Sequence, residues 1–488
     1  VTDGDTSRWS GRFWLADAPE VTAGGWLDAS TRWPTADLAE ALTSPYRRTE
    51  ATQQPNGSWM ITADSADDDV QPATFTVHGF LRGTEGRVTL VDAENTGRNM
   101  TLNVLADRGS ERLIARYAVL GDHLDGPHAR FKRVQFRLKH LDAWAQLREG
   151  LSVRFAEHGS HAQMNYAGAE PQTAATITTP GSLTLDATFR LPPPSVVEVR
   201  FIQRAFLMWE SSADGLSVDQ LWARVLDPVR SLLTIASGDD CPVTTMHVQV
   251  EGGRWLRVLH PGIDNSPDEL RSGRDMVLTA PALSLSDVAT WLDQVDRLSP
   301  VPQLVAGHVA RERDQVVESQ VLELAAAAEG LHRRLEPDER VMTDEQARQI
   351  RSACLAAVPP DSRQMVANRL GQLADPTFRQ RLALLADRLG NAAADITGVT
   401  SLWTRYVAEA RNGFAHMLDP RRETDVEHSI VLRDSLRWML TIVLLAQAGV
   451  SMETIMRRVS GRQDYQFFLR RASAWLPGVY AGRSDEDA

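Results

Sequence analysis

A chain of 488 residues with 43% hydrophobic and 24% charged residues has the composition of a soluble globular protein, long enough for two to four domains with substantial cores. The net charge of −12 excludes a general affinity for nucleic acid, which needs a basic field. That acidity is concentrated in the first 300 residues, with 28 basic and 39 acidic side chains; from 301 onward 24 Arg meet 25 Asp and Glu, so a local Arg cluster there is the one place for polyanion contact. Only Lys132 and Lys139 are lysines, so nearly every positive charge is a guanidinium. The two cysteines, Cys241 and Cys354, lie far apart and define neither a disulfide framework nor a zinc site, which fits a reducing cytoplasm. The opening "VTDGDTSRWSGRFW" lacks the basic and apolar regions of a signal peptide. The longest apolar run, Trp438 to Val450, is too short to cross a bilayer and reads as a buried core helix, so no membrane role is expected.

In chain order, residues 1–210 read as β structure. "GSWMITAD" (57–64), "ATFTVHGFL" (73–81) and "GRVTLVDAEN" (86–95) are short runs of β-branched and aromatic residues broken by Gly, Asn and Asp. "FKRVQFRLKHL", "LSVRFAEHG", "SLTLDATFRL" and "SVVEVRFIQRAFLMW" continue the pattern to 209, as expected for packed sheets in a sandwich- or barrel-like arrangement. Trp14, Trp26 and Trp59 are the leading candidates for its core. Residues 211–300 form a mixed α/β extension. Helical spacing through Leu221, Val225, Val229, Leu232 and Leu233 is followed by two strand-like pieces, then a helix for which Ser286 is the candidate N-cap. "SPVPQ" (299–303) reads as a linker. Residues 304–488 are helical almost throughout, with Pro, Gly and Asp at the turns, which describes an all-α bundle; the whole is an α+β multidomain chain.

Within that bundle, "WTRYVAEARNGFAHML" (403–418) carries two stripes on a helical wheel. Trp403, Val407, Ala410, Phe414 and Met417 form the apolar one; Arg405, Glu409, Asn412 and His416 form a polar one on nearly the opposite side. Arg411 lies on the flank, where a long side chain can reach either way. A polar stripe is usually a solvated face, and Arg followed by His after four to six intervening residues occurs at seven places in the chain. Only the 411/416 pair has Asn directly after Arg on a strongly periodic helix in an all-α region. Among other candidates, "HGSH" (His158, His161) reads as exposed strand-loop histidines rather than a metal site, and "SGDDC" (237–241) as a helix-ending turn rather than a carboxylate pair.

"RNGFAH" resembles the R-[polar]-x3-H signature of HEPN domains (higher eukaryote and prokaryote nucleotide-binding), many of which are metal-independent ribonucleases. "VLELAAAAEGLHRR" and "FRQRLALLADRLG" are similar to segments of the HEPN domain in ApeA-type anti-phage proteins. "GRFWLADAPEVTAGGWLDAS", "FTVHGFLRGTEGRVTLVDAEN" and "VQFRLKHLDAWA" resemble the β-rich N-terminal domain of that group, with Ala16 standing where its opening motif has Pro. The resemblance implies a cytoplasmic endoribonuclease of abortive anti-phage defence, acting on host RNA, with tRNA as one candidate. It also implies a homodimer whose two Arg–His motifs face each other in one composite site, and a phage protein as a candidate trigger.

The residue chemistry is compatible with that. His416 suits general acid–base work near neutral pH. Arg411 can grip phosphate oxygens through paired hydrogen bonds without losing its proton, and Asn412 can orient the imidazole or a phosphate oxygen, so no metal or other cofactor is called for. Arg405, Glu409, Arg421 and Arg422 are second-tier candidates for RNA contact or for orienting His416, with a solvated turn as the equal alternative for the last two. Two non-enzymatic readings compete. In one, a silent HEPN-like bundle dimerises and carries a β-rich binding domain; in the other, aromatic side chains exposed on the sheets bind carbohydrate.

Overall fold

The computed structural model describes residues 7–43, 49–53, 59–63, 74–83, 86–99, 109–147, 151–155, 162–166, 170–190, 202–264, 275–311, 315–416 and 426–480. Its strands are β1 (Arg8–Leu15), β2 (Ala18–Asp28), β3 (Thr35–Leu38), β4 (Thr49–Gln53), β5 (Trp59–Ala63), β6 (Phe75–Leu81), β7 (Arg87–Asn99), β8 (Ser110–Leu120), β9 (Arg133–Leu138), β10 (Leu151–Phe155), β11 (Ala162–Tyr166), β12 (Gln172–Thr176), β13 (Gly181–Arg190), β14 (Ile202–Ser211), β15 (Val243–Gln249) and β16 (Trp255–Leu259). Its helices are α1 (Leu141–Ala145), α2 (Val218–Leu221), α3 (Asp227–Ser237), α4 (Leu285–Leu298), α5 (Val301–Arg311), α6 (Val317–Leu335), α7 (Asp344–Ala357), α8 (Arg363–Arg369), α9 (Phe378–Asp387), α10 (Ala393–Thr397), α11 (Thr400–His416), α12 (Val426–Gln447), α13 (Met452–Ser460), α14 (Gln463–Trp475) and α15 (Pro477–Tyr480). The expected order, β-rich first and helical second, is what the chain adopts. Two compact units result: Val1–Lys139 with Pro180–Leu226 and Pro242–Asp268, and His140–Thr179 with Asp227–Cys241 and Glu269–Ala488. The stretch 211–300 is therefore shared between both.

The first unit is built on β8. One edge of β8 pairs with β7 from Val88↔Leu120 to Asn99↔Ser110. Its other edge is divided: β3 takes Glu111 to Ile114, and β16 takes Ala118 to Leu120. The ring β8-β3-β2-β1-β6-β7 thus closes into an antiparallel barrel, while β16 leads into a sheet that continues through β15, β9, β14 and β13. Closure removes the unpaired edges that an open sheet would present. Inside the barrel, Trp9, Phe13, Leu27, Val77, Leu81, Val88, Leu90 and Leu113 are buried. The Phe13 ring packs directly over Gly79 on the neighbouring β6, where any Cβ would collide with it.

This packing corrects the tryptophan assignment. Strand side chains alternate between faces, so with Phe13 and Leu27 inside, their neighbours Trp14 and Trp26 point out. Trp26 is 48% exposed and carries the Arg8 guanidinium 5.1 Å from its ring centroid. Trp14 is half-buried, its ring edge-on to His123 at 5.2 Å. The Trp59 side chain lies outside the described residues.

The second unit packs α6, α9, α11 and α12 against one another, with α3, α4 and α5 alongside α6 and α12. In α12, the apolar run that reads as a core helix is one: Trp438, Met439, Leu440, Ile442, Val443, Leu444 and Leu445 are all buried. No helix among the described residues is long and apolar enough to cross a membrane. Two expectations shift. The 299–303 stretch is no linker, because Val301 and Pro302 are buried at the start of α5. The N-cap of α4 is Ser284 rather than Ser286, since Ser284 and Asp287 satisfy each other's backbone N–H groups in a capping box. Residues 237–241 do end a helix: α3 stops at Ser237, and Gly238 turns the chain at φ +70°. His158 and His161 lie outside the described residues.

Candidate active site on helix α11

Helix α11 is seated by its apolar stripe. Trp403 and Val407 are fully buried, and the indole N–H of Trp403 donates to the Ser435 hydroxyl of α12 at 2.9 Å. A buried indole N–H without such an acceptor is costly, so this bond fixes the rotation of α11 about its axis. The opposite row then faces solvent, with Arg405, Glu409 and Asn412 all exposed. Arg405 and Glu409 form a long ion pair at 3.9 Å, and the Arg405 guanidinium lies 5.5 Å from the Tyr406 ring centroid. His416 is the last residue of α11, four positions beyond Asn412 on the same helical row. The His416 side chain lies outside the described residues, as do Met417, Arg421 and Arg422.

Arg411, on the flank, is held from two sides. Its Nη2 donates to Glu329 Oε2 of α6 at 3.1 Å, and its guanidinium sits 4.5 Å from the Phe378 ring centroid of α9. The other Glu329 oxygen accepts from Arg333, one turn further along α6, at 2.9 Å. The Arg411 side chain nevertheless keeps 36% of its surface accessible. Deeper between α6 and α9, Arg381 and His332 are buried side by side, with Arg381 Nη1 3.2 Å from His332 Nδ1. Burial first, and the Arg381 charge second, hold the His332 pKa below its ordinary value, so its ring is the neutral acceptor. Burial likewise lowers the pKa of Arg381.

The sequence reading brought Arg411, Asn412 and His416 to one end of one helix, and the fold places them there. It missed Glu329, Phe378 and Arg333. Only the four-residue spacing of Glu329 and Arg333 in "EGLHR" was a visible signal, and that spacing marks a surface ion pair as readily as a site.

Comparison with known proteins gives two family matches. A family described as ApeA N-terminal domain 1 matches residues 8–289, which include the whole barrel. A family described as Apea-like HEPN matches residues 322–454, from within α6 to the start of α13, and so contains Glu329, Phe378, Arg411, Asn412 and His416. Neither a curated protein nor a solved structure matches the chain. The chain belongs to the ApeA family, with an ApeA N-terminal domain followed by a HEPN domain.

Proposed function

We propose that this protein is a metal-independent endoribonuclease of anti-phage defence, cytoplasmic, with Arg411, Asn412 and His416 as its catalytic residues. The observation that carries this reading is the state of Arg411: anchored through one nitrogen to Glu329 and held over the Phe378 ring, yet 36% accessible at the Asn412–His416 end of α11. A guanidinium immobilised in this way has hydrogen-bond donors left over for phosphate oxygens.

The chemistry that fits is self-cleavage of RNA assisted by acid and base. The 2′-oxygen forms a bond to the adjacent phosphorus as the bond from phosphorus to the 5′-oxygen breaks. A neutral His416 takes the 2′-hydroxyl proton, and a protonated one delivers a proton to the leaving 5′-oxygen. Because one imidazole is poorly suited to both tasks in a single turnover, the reading places two copies of the chain about a two-fold axis, each supplying one His416. Arg411 stabilises the charge that builds on the non-bridging oxygens, and Asn412 orients the imidazole or the phosphate. Arg405, Glu409, Arg421 and Arg422 flank the motif as candidates for RNA contact. RNA, with tRNA as one candidate, is the substrate.

The acidic N-terminal part is poorly suited to holding RNA, and its role in this reading is to sense a phage protein or to restrain the nuclease. Trp26 on β2 and Phe80 on β6 are exposed aromatic side chains of the kind the carbohydrate reading calls for, while the exposed Trp33 lies in the bend between β2 and β3. Against sugar stacking, the Arg8 guanidinium already covers Trp26. The test is RNA cleavage by the purified full-length chain, alone and with lysate of phage-infected cells, compared with Arg411→Ala and His416→Ala. Cleavage that both substitutions abolish supports the assignment. Equal cutting by the variants moves the site elsewhere, and no cutting under either condition favours the silent HEPN module with a β-rich binding domain.

A further inference from the structure

We infer that Glu329 is the positioning residue of the ribonuclease site, a role that rests on the function proposed above: it aims the Arg411 guanidinium at the scissile phosphate, and Arg333 neutralises it so that the phosphate is not repelled.

The geometry supports an aiming role in three ways. First, Glu329 reaches Arg411 through a single contact, Oε2 to Nη2 at 3.1 Å, rather than the paired contact that would occupy the whole edge of the guanidinium. The remaining donors are thus unclaimed by Glu329. Second, the guanidinium carbon lies over the Phe378 ring, 4.5 Å from its centroid, in cation–π contact. A hydrogen bond on one nitrogen and a ring packed against the guanidinium carbon restrict its movement from two sides. Third, the second oxygen of Glu329 accepts from Arg333 at 2.9 Å.

Charge decides between aiming and blocking. An unneutralised carboxylate beside Arg411 would repel the incoming phosphate and cancel the attraction. Here one carboxylate is shared by two guanidinium groups, and the buried Arg381 feels Glu329 favourably and Arg333 unfavourably. Glu329 with Arg333 and Arg411 therefore carries one surplus positive charge, which one phosphodiester would balance. The Glu329 side chain is 20% exposed, at the rim of the site.

The experiment measures kcat and KM for RNA cleavage by the full-length chain, alone and with infected-cell lysate. It compares wild type, Glu329→Ala, Glu329→Gln and Arg411→Ala. A catalytic group displaced by about 1 Å can lose roughly 100-fold in rate. For Glu329→Ala the expected result is a kcat about 10- to 100-fold lower, with KM within about threefold of wild type. Glu329→Gln, which keeps an acceptor for Arg411, should recover most of the rate. That rescue, together with a loss in kcat and not in KM, is the pattern a merely structural role would not produce. If Glu329→Ala cleaves as fast as wild type, or faster with tighter RNA binding, the carboxylate is idle or a block, and the positioning role falls while the ribonuclease stands. If wild type does not cleave RNA under either condition, the ribonuclease reading falls and this role with it.

Discussion

The bond that sets the rotation of α11 can be weighed by substitution. Trp403 is fully buried, its indole N–H donates to Ser435 Oγ at 2.9 Å, and that hydroxyl donates in turn to the Leu432 carbonyl at 2.9 Å. Trp403→Phe removes the donor and leaves a smaller ring in the same space. Losing the hydrogen bond costs about 1 kcal/mol, and the incompletely filled space about 1–2 kcal/mol more. Ser435→Ala instead strands a buried N–H, at about 1–3 kcal/mol. A helical unit of this size loses roughly 2–4 °C in Tm per kcal/mol, so Trp403→Phe should lower the melting of the helical signal by about 4–12 °C. Because the two single variants break the same bond, the Trp403→Phe/Ser435→Ala double variant should cost measurably less than their sum. Thermal melts followed by circular dichroism at 222 nm give all four values. Strict additivity, or no shift for either single variant, would refute the claim that this bond seats the site helix.

Two further outcomes concern the first unit. Glu111 is 2% exposed and accepts from the backbone N–H groups of Leu42 and Thr43 at 2.7 and 3.2 Å, as well as from Thr43 and Asn95 side chains. Glu111→Ala should therefore destabilise by about 3 kcal/mol or more in urea titration, and a loss under about 1 kcal/mol would show those donors finding water instead. His260 stacks on Trp222 at 4.0 Å between centroids and accepts from the Gly262 N–H through Nδ1 at 3.1 Å. Burial, with the Arg116 charge adding to it, holds its pKa down to about 4 against an ordinary 6.5. A histidine kept neutral in the folded state contributes stability above its unfolded pKa that is lost as the pH falls towards the folded one. Stability should thus drop between pH 6.5 and 4, and His260→Phe should flatten that drop in chemical denaturation across the window; an unchanged slope would contradict it.

How far the sequence could be read depended on the range of the interactions involved. Local periodicity announced the strands, the helices and the two faces of α11, because a helix or strand declares its own repeat. What it could not announce was which strand face is interior when both neighbours are apolar. Trp26 and Leu27 sit side by side on β2, and only the pairing of β2 with β1 and β3 decides that Leu27 goes in. Barrel closure depends on the divided edge of β8, shared by strands that begin at Thr35 and Trp255, and no local signal carries that. The α4 cap was legible but misassigned, since Ser284 with Asp287 three residues on is a capping box and Ser286 with Ala289 is not. Arg411, Asn412 and His416 lie within one helix, so their spacing along the chain is enough to bring them together. Glu329 lies 82 residues before Arg411, and its role becomes visible only once α6 and α11 are packed.

The central claim is tested most directly by the chemistry of the cut ends. RNA digested by the full-length protein in the presence of EDTA should yield a 2′,3′-cyclic phosphate on one fragment and a 5′-hydroxyl on the other. A single 2′-deoxy substitution at the cleaved nucleotide should stop the reaction there. Cleavage that EDTA abolishes, or that proceeds through the deoxy position to leave a 5′-phosphate, would contradict an attack by the 2′-hydroxyl assisted by Arg411 and His416.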